Sequence, residues 1–108
     1  MHLHNEPFMN IKNGTKTIEI RLNDEKRQQY KVHDYIECTN RTTLETMLLE
    51  IVNISKYKNF EELYQNYDKV SLGYGKDDQA DFHDMEKYYS KEDQEKYGVL
   101  GIKIKVKE

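Results

Sequence analysis

The chain has no tryptophan, one proline and one cysteine, and it contains no long apolar run. The single cysteine, Cys38, excludes an internal disulfide framework, which favours a reducing compartment and a small buried thiol. No stretch approaches the roughly 20 apolar residues that a membrane-spanning helix needs. The first eight residues, MHLHNEPF, have neither the basic nor the apolar region of a signal peptide. These absences predict a cytoplasmic protein without a membrane partner.

The size of the chain sets the scale of its core. Its 108 residues correspond to one domain, and 36% of them are hydrophobic while 34% are charged. The aromatic residues are nine tyrosines and three phenylalanines. We therefore expect a single domain over residues 1–108 with a small hydrophobic core that includes tyrosine side chains.

Charge is unevenly distributed along the chain. The net charge of -3 argues against a general nucleic-acid coat. Residues 12–31 nevertheless carry six basic and three acidic side chains, whereas residues 77–95 carry eight acidic side chains and two lysines. The basic segment could meet a phosphate. Alternatively, the two segments neutralise each other or are both solvated.

Apolar periodicity predicts four strands and three helices. The predicted strands are residues 17–22, a second one within KVHDYIECTN, then TMLLEIVNISKY and VLGIKIKVKE. The predicted helices are NEPFMNIKNG, NFEELYQNY with Asn59 as N-cap, and DMEKYYSKEDQEKYG with Gly98 as its stop. The last strand carries alternating lysines, which are typical of an edge strand. This pattern predicts an α+β fold built on a small, partly open mixed β-barrel.

The first strand, within GTKTIEIRLND, has one polar face that carries charged side chains. Alternation places Thr17, Glu19 and Arg21 on one side, with about 7 Å between successive same-face positions. A carboxylate beside a guanidinium offers acceptors and donors that suit a base edge or a phosphate. Lys16 could turn inward where the strand begins. The polar face is either a solvated surface or the floor of a binding cleft.

The same stretch resembles the signature of ASCH domains, Gly-x-Lys-x-x-Glu-x-Arg. The matching residues are Gly14, Lys16, Glu19 and Arg21. A helix before the motif, a KVGD-like turn after it and the closing YGVLGIKI extend the resemblance over nearly the whole chain. It implies a PUA-like β-barrel with helices packed over a cleft that takes RNA or a nucleotide-like ligand. It also implies that Lys16, Glu19 and Arg21 line that cleft as binding residues.

The resemblance to bacterial N(4)-acetylcytidine amidohydrolases, which are ASCH-like, is partial. Their motif is Lys-Thr-Ile-Thr-Ile-Arg, so Lys16 matches their lysine but Glu19 stands where their catalytic threonine lies. A carboxylate cannot replace a hydroxyl nucleophile, although it can act as a general base. Their glutamate lies in the loop before the last helix, where Asp77, Asp78 or Asp81 could stand near it. Lys16 and Glu19 are thus the catalytic residues if the protein is an enzyme.

Three further residues are candidate ligand contacts: Asn40, Arg41 and Tyr74. Asn40 and Arg41 end the second strand beside the expected cleft, so they either contact the ligand or build the hairpin bend. Tyr74 lies between two glycines in a loop, where it either stacks on a base or packs within the loop. Tyr88 and Tyr89 are assigned to the core and the helix surface.

The histidines are not expected to form a metal or catalytic site. His33 replaces the glycine of the KVGD-like turn, and it is predicted to be a left-handed turn residue rather than a ligand contact. His2 and His4 are assigned to a mobile terminus rather than a metal arm, and His83 to a solvated loop. No metal and no cofactor are predicted.

Three functions remain open at this stage. The first is an RNA- or nucleotide-binding domain that uses the cleft built on residues 14–21. The second is a small nucleoside amidohydrolase, with ribonuclease-like cleavage as a weaker variant because no histidine pair supports it. The third is a protein-interaction domain whose cleft is vestigial.

Overall fold

The computed structural model describes residues 1–107, which form one five-stranded sheet with short helices packed around it. The elements are β1 (His2–Leu3), α1 (Asn5–Lys12), β2 (Ile18–Leu22), β3 (Tyr35–Asn40), β4 (Thr46–Tyr57), α2 (Phe60–Tyr64), α3 (Lys91–Tyr97) and β5 (Val99–Val106). Two 3₁₀ helices span Arg27–Gln29 and Phe82–Lys87. The strand order is β1-β3-β4-β5-β2, with only β1 and β3 parallel, so the sheet is mixed. Within residues 1–107, no helix combines the length and apolar character needed to cross a bilayer.

The prediction of β5 as an edge strand is wrong. β5 lies inside the sheet and pairs with both β4 and β2. Its first half is buried on both faces, including Val99 and Leu100, while Lys103 and Lys105 are exposed. The lysines therefore occupy the solvent-facing side of an internal antiparallel strand, a position that alternation cannot distinguish from an edge.

The first residues form a fifth strand that the sequence pattern did not predict. His2 lies opposite Thr39 and Leu3 opposite Asn40 in a parallel pair. The backbone N–H of Arg41 donates to the Leu3 carbonyl oxygen at 2.8 Å. The assignment of His2 to a mobile terminus is therefore wrong. A two-residue strand is too short to have a period, so only its partner strand reveals it.

The core consists of two apolar clusters. One joins α1 to the sheet and contains Phe8, Ile11, Cys38, Leu49, Ile51, Leu100, Ile102 and Ile104. The other joins β2 and the start of β5 to α2 and contains Ile18, Ile20, Phe60, Leu63, Leu72 and Val99. Cys38 is fully buried, and desolvation raises the pKa of its thiol. Burial of Ile18 and Ile20 under α2 fixes the direction in which the polar face of β2 points.

The predicted single helix before β5 is two separate elements. The 3₁₀ helix Phe82–Lys87 comes first, and α3 begins after Ser90, whose side chain accepts a hydrogen bond from the Asp93 N–H at 3.1 Å. This serine cap starts a new helix and leaves residues 88 and 89 in the break. Two predicted boundaries are confirmed, because Asn59 caps α2 and Gly98, with φ of +72°, ends α3.

Asn40 has a structural position at the turn between β3 and β4. Its side chain is completely buried and donates to Asn5 Oδ1 at 2.9 Å. Its Oδ1 accepts from the backbone N–H groups of Thr42 at 2.8 Å and Thr43 at 3.2 Å. Of the two readings of this residue, the structure supports the hairpin bend rather than ligand contact.

We predict that Asn40→Ala lowers the free energy of unfolding by about 2–3 kcal/mol, because a buried side chain that makes three hydrogen bonds is lost, two of them from backbone N–H groups. Urea unfolding of the wild type and variant measures this change. Asn66→Ala is the matched control, since this exposed side chain donates to one carbonyl, that of Glu62. The control should lose less than about 1 kcal/mol. Equal losses would contradict the assigned role of Asn40.

Candidate functional site

A cleft of about 500 Å³ opens over β2. One side is built by the N-terminal residues 2–7 and by Arg41, and the other by residues 72–89. Its volume lies within the roughly 300–1,000 Å³ that small-molecule sites occupy. The cleft is therefore a candidate binding site, and its chemistry depends on the side chains at its floor.

Three charged side chains from β2 and the residues before it line the floor. Glu19 is only 5% exposed, although it alternates with the buried Ile18 and Ile20. Lys16 Nζ lies 3.3 Å from Glu19 Oε1, and Arg21 Nη2 lies 3.6 Å from Glu19 Oε2. β2 is thus buried on both faces, and its polar face is not a solvated surface. The structure brings Lys16, Glu19 and Arg21 together in the cleft.

The two oxygens of the Glu19 carboxylate have different surroundings. Oε1 accepts hydrogen bonds from Lys16 Nζ at 3.3 Å and from the Ile20 N–H at 3.2 Å. Oε2 is buried and has no hydrogen-bond partner among residues 1–107, because Arg21 Nη2 lies too far away for one. The floor therefore holds one carboxylate between two cations, with one acceptor oxygen unsatisfied.

Arg21 stays charged in spite of its burial. Desolvation lowers the pKa of its guanidinium, but the Glu19 carboxylate and the hydrogen bond to the Tyr89 hydroxyl raise it, and the net pKa lies above the ordinary value. Arg21 Nη1 donates to this hydroxyl at 3.5 Å. The Tyr89 ring in turn stacks on Phe60, with 5.9 Å between ring centroids. The second apolar cluster thereby supports the position of the guanidinium.

Gly73 allows the loop above the floor to approach Lys16. Its φ of +109° favours glycine, and a Cβ at this position would lie 3.1 Å from Lys16 Cδ. The loop is fixed to β2 because the N–H groups of Thr17 and Ile18 both donate to the Ser71 carbonyl oxygen, at 3.1 and 3.0 Å. These contacts hold the Lys16 side chain, which is 11% exposed, against Glu19.

Tyr74 lines the cleft within a hydrogen-bonded network. Its hydroxyl donates to Asp84 Oδ2 at 2.8 Å and lies 2.9 Å from the Tyr64 hydroxyl. Desolvation and these bonds to Tyr64 and Asp84 raise the pKa of Tyr74. Tyr74 thus packs within the loop and also belongs to the lining of the cleft. Its stacking on a base stays a prediction.

The acidic residue of this loop that reaches the cleft is Asp84, which sequence reasoning missed. Asp77, Asp78 and Asp81, the residues suggested by the sequence, do not line the cleft. Asp78 accepts from the Gly75 N–H at 2.8 Å, and Asp81 caps the 3₁₀ helix through the His83 N–H at 2.9 Å. Asp84 does not belong to a segment with alternating or helical hydrophobic periodicity, so the sequence pattern gives no orientation for its side chain. The 3₁₀ helix Phe82–Lys87 orients this side chain towards the cleft.

Tyr88 and Tyr89 also line the cleft. Tyr89 packs against the second apolar cluster, which agrees with a core position, but neither residue lies within a helix. Tyr88 is 70% exposed. Both residues lie in the break that Ser90 imposes between the two helices. A sequence reading that continued the helix could not place them here.

The mouth of the cleft is basic. Arg41 and Lys87 are exposed and belong to its lining, together with His2 and His4. The sequence prediction of Arg41 at the cleft agrees with this position, whereas Asn40 does not belong to the lining.

The remaining histidines, His33 and His83, lie outside the cleft. His33 has φ of +77°, which confirms the predicted turn conformation, and its Nδ1 lies 3.3 Å from Glu50 Oε2. His83 Nδ1 lies 2.8 Å from Asp81 Oδ1. Within residues 1–107, no cluster of three or more histidine, cysteine or acidic side chains could hold a metal ion.

Comparisons with known proteins give a family and a fold. A model of the ASCH domain family matches residues 1–108. The crystal structure of hypothetical protein PH0355 is similar over 99% of this chain and 96% of that one, with 27% identity and a TM-score of 0.80. The solution structure of protein PF0455 from Pyrococcus furiosus covers 100% and 99%, with 27% identity and a TM-score of 0.67. The search of curated proteins returned no match. The predicted α+β, PUA-like barrel is confirmed.

We predict that Tyr74→Phe reduces the loss of stability at alkaline pH. Because the folded state raises the pKa of Tyr74, its contribution to stability is complete below the unfolded-state pKa of about 10 and falls as pH rises through the folded-state pKa. Urea midpoints at about pH 8 and about pH 11 measure the difference. Tyr88→Phe removes a hydroxyl outside the network and should reproduce the wild-type decline. Identical declines in wild type and Tyr74→Phe would contradict the prediction.

Proposed function

Because the chain belongs to the ASCH domain family, we propose that it binds RNA or a nucleotide-sized ligand in the cleft over β2. ASCH domains are generally thought to bind RNA. The three charged residues that match the family signature lie at the floor of this cleft. The proposal therefore assigns Lys16, Glu19 and Arg21 as the ligand-binding residues.

The observation that carries the proposal is the unsatisfied Oε2 of Glu19. A buried polar atom without a partner costs about 1–3 kcal/mol, and a ligand N–H that reaches it would recover this cost. Lys16 and Arg21 on either side offer donors to the acceptors of the same ligand. Nucleobases carry N–H donors beside ring nitrogen and carbonyl acceptors, so their edges complement this floor.

The walls and the mouth of the cleft also suit a nucleotide. The exposed ring of Tyr88 offers a surface on which a base can stack. Arg41 and Lys87 at the mouth offer positive charge for a phosphate. Of the eight acidic residues within residues 77–95, only Asp84 lines the cleft, and it is engaged by Tyr74. The acidic segment therefore leaves the mouth open to an anionic group.

Binding can be tested by calorimetry and thermal shift with the four ribonucleosides, their 5′-monophosphates and a short single-stranded RNA. We expect at least one probe to bind and stabilise the protein. Arg21→Gln should weaken that binding about tenfold or more, since a hydrogen bond to a charged group contributes about 1.5–3 kcal/mol. RNA affinity should also fall with added salt.

The control for this experiment is Arg27→Gln. Arg27 pairs with Asp24 at 2.9 Å and does not line the cleft. The Arg27→Gln variant should bind the probes as tightly as the wild type does. Absence of binding to every probe, or equal losses in the two variants, would contradict the proposal. In that case, a protein partner whose binding survives combined replacement of the floor residues would favour the interaction-domain alternative.

A second candidate function is hydrolysis of an acylated nucleoside, and the position of Asp84 favours it. This residue places an acidic side chain from the loop before the last helix at the cleft, as the amidohydrolase resemblance implies. In such a reaction Glu19 would take a proton from water as its oxygen attacks the acyl carbonyl. The C–N bond would then break and the proton would pass to the leaving amine. Among the described residues that line the cleft there is no serine, threonine or cysteine, which argues against one of these side chains as the nucleophile.

Release of cytidine from N(4)-acetylcytidine, followed by chromatography, tests this activity. If the reaction occurs, Glu19→Gln should reduce its rate at least about a hundredfold, because the general base is lost. Glu37→Gln, an exposed site on β3, should keep the wild-type rate. No release above the uncatalysed background would rule out this function and leave the binding proposal intact.

A further inference from the structure

The floor of the cleft presents its hydrogen-bonding groups in a defined order. Lys16 lies on the Oε1 side of Glu19 and Arg21 on the Oε2 side. Oε1 is already bonded twice, so Oε2 is the acceptor that remains. Lys16 and Arg21 each keep further N–H groups that no described residue accepts. The floor therefore offers a donor, one free acceptor and a second donor.

We propose that this floor selects the imide edge of a uracil-type base, a deepening that rests on the proposed nucleotide-binding function. A cyclic imide has one N–H between two carbonyl oxygens, so it offers acceptor, donor and acceptor. Its N–H would donate to Glu19 Oε2, and its two carbonyls would accept from Lys16 and Arg21. Every group of the floor is then satisfied by one ligand edge.

The other common bases satisfy fewer of these groups. Guanine places two adjacent donors on this edge, and the second one would face a cation, because Oε1 is occupied. On their Watson–Crick edges, cytosine and adenine can give an amino N–H to Oε2 and a ring nitrogen to Arg21, but these edges leave Lys16 facing no acceptor. A site with buried, unmatched hydrogen-bonding groups discriminates strongly against such ligands.

We expect Arg21 to move when a ligand reaches Oε2. The oxygen is shielded from solvent, and Arg21 Nη2 lies 3.6 Å away without a hydrogen bond to it. The bond from Arg21 to the Tyr89 hydroxyl is also long, at 3.5 Å. The guanidinium can therefore turn towards a ligand carbonyl without breaking a short bond. We expect this turn to open Oε2 to the ligand N–H.

The decisive probes are uridine and 3-methyluridine, measured by calorimetry with the unmodified protein. The methyl group replaces the imide N–H and leaves the sugar and both carbonyls in place. Uridine should bind at least about tenfold more tightly than 3-methyluridine and cytidine, because each analogue leaves a floor group unmatched. Guanosine and adenosine should be weaker than uridine as well.

Two variants test whether the preference for uridine depends on Glu19. Glu19→Gln removes the charge with little change in size and should reduce the ratio of uridine to cytidine affinity about tenfold. Glu37→Gln is the matched control and should keep the wild-type ratio. Circular dichroism checks that both variants are folded. Because the methylation comparison uses the wild-type protein, it decides the matter even if Glu19→Gln does not fold.

Each outcome separates this inference from the proposed function. Preference for uridine that is lost on methylation supports both. Binding of cytidine or guanosine as tight as that of uridine, or equal binding of 3-methyluridine, overturns the imide selection and leaves nucleotide binding in place. Failure of every nucleoside, nucleotide and RNA probe overturns both.

Discussion

A carboxylate is accommodated inside a protein only where charges and hydrogen-bond donors replace the water that it has lost. Glu19 meets this requirement through Lys16, Arg21 and the backbone of its own strand. The surrounding structure serves the same arrangement, since Gly73 lets a loop press on the lysine and Tyr89 supports the guanidinium. Buried ion pairs give little net stability compared with well-packed apolar residues. Stability alone thus gives no reason for three charges at this place, which supports the proposal that a ligand binds there.

The local sequence pattern predicts the helices and strands well, but it does not predict which strands lie next to one another in the sheet. The run TMLLEIVNISKY coincides with β4, and the cap at Asn59 was read correctly because a side chain three residues from its donor is a local feature. The placement of β5 and the existence of β1 depend on which strand lies beside them. Such pairing involves residues distant in sequence, and alternation within one strand carries no information on it.

The residues of the candidate site show the same contrast between local pattern and long-range contacts. Lys16, Glu19 and Arg21 share a face by alternation, and the family motif indicated that this face is the floor of a cleft. Asp84 and Tyr88, by contrast, reach the cleft because the chain between residues 65 and 90 folds over it with little regular structure. Without a period, the direction of each side chain there depends on caps and tertiary contacts.

The order of the strands also bears on how the protein is made. β2 pairs with β5 alone, and about eighty residues separate the two strands along the chain. During synthesis, β2 must therefore wait without a partner until residues 99–106 have left the ribosome. Until then, its apolar residues and the buried carboxylate beside them have no completed sheet to join. The floor of the cleft therefore forms only after β5 has been made, although its own residues are translated about eighty residues earlier.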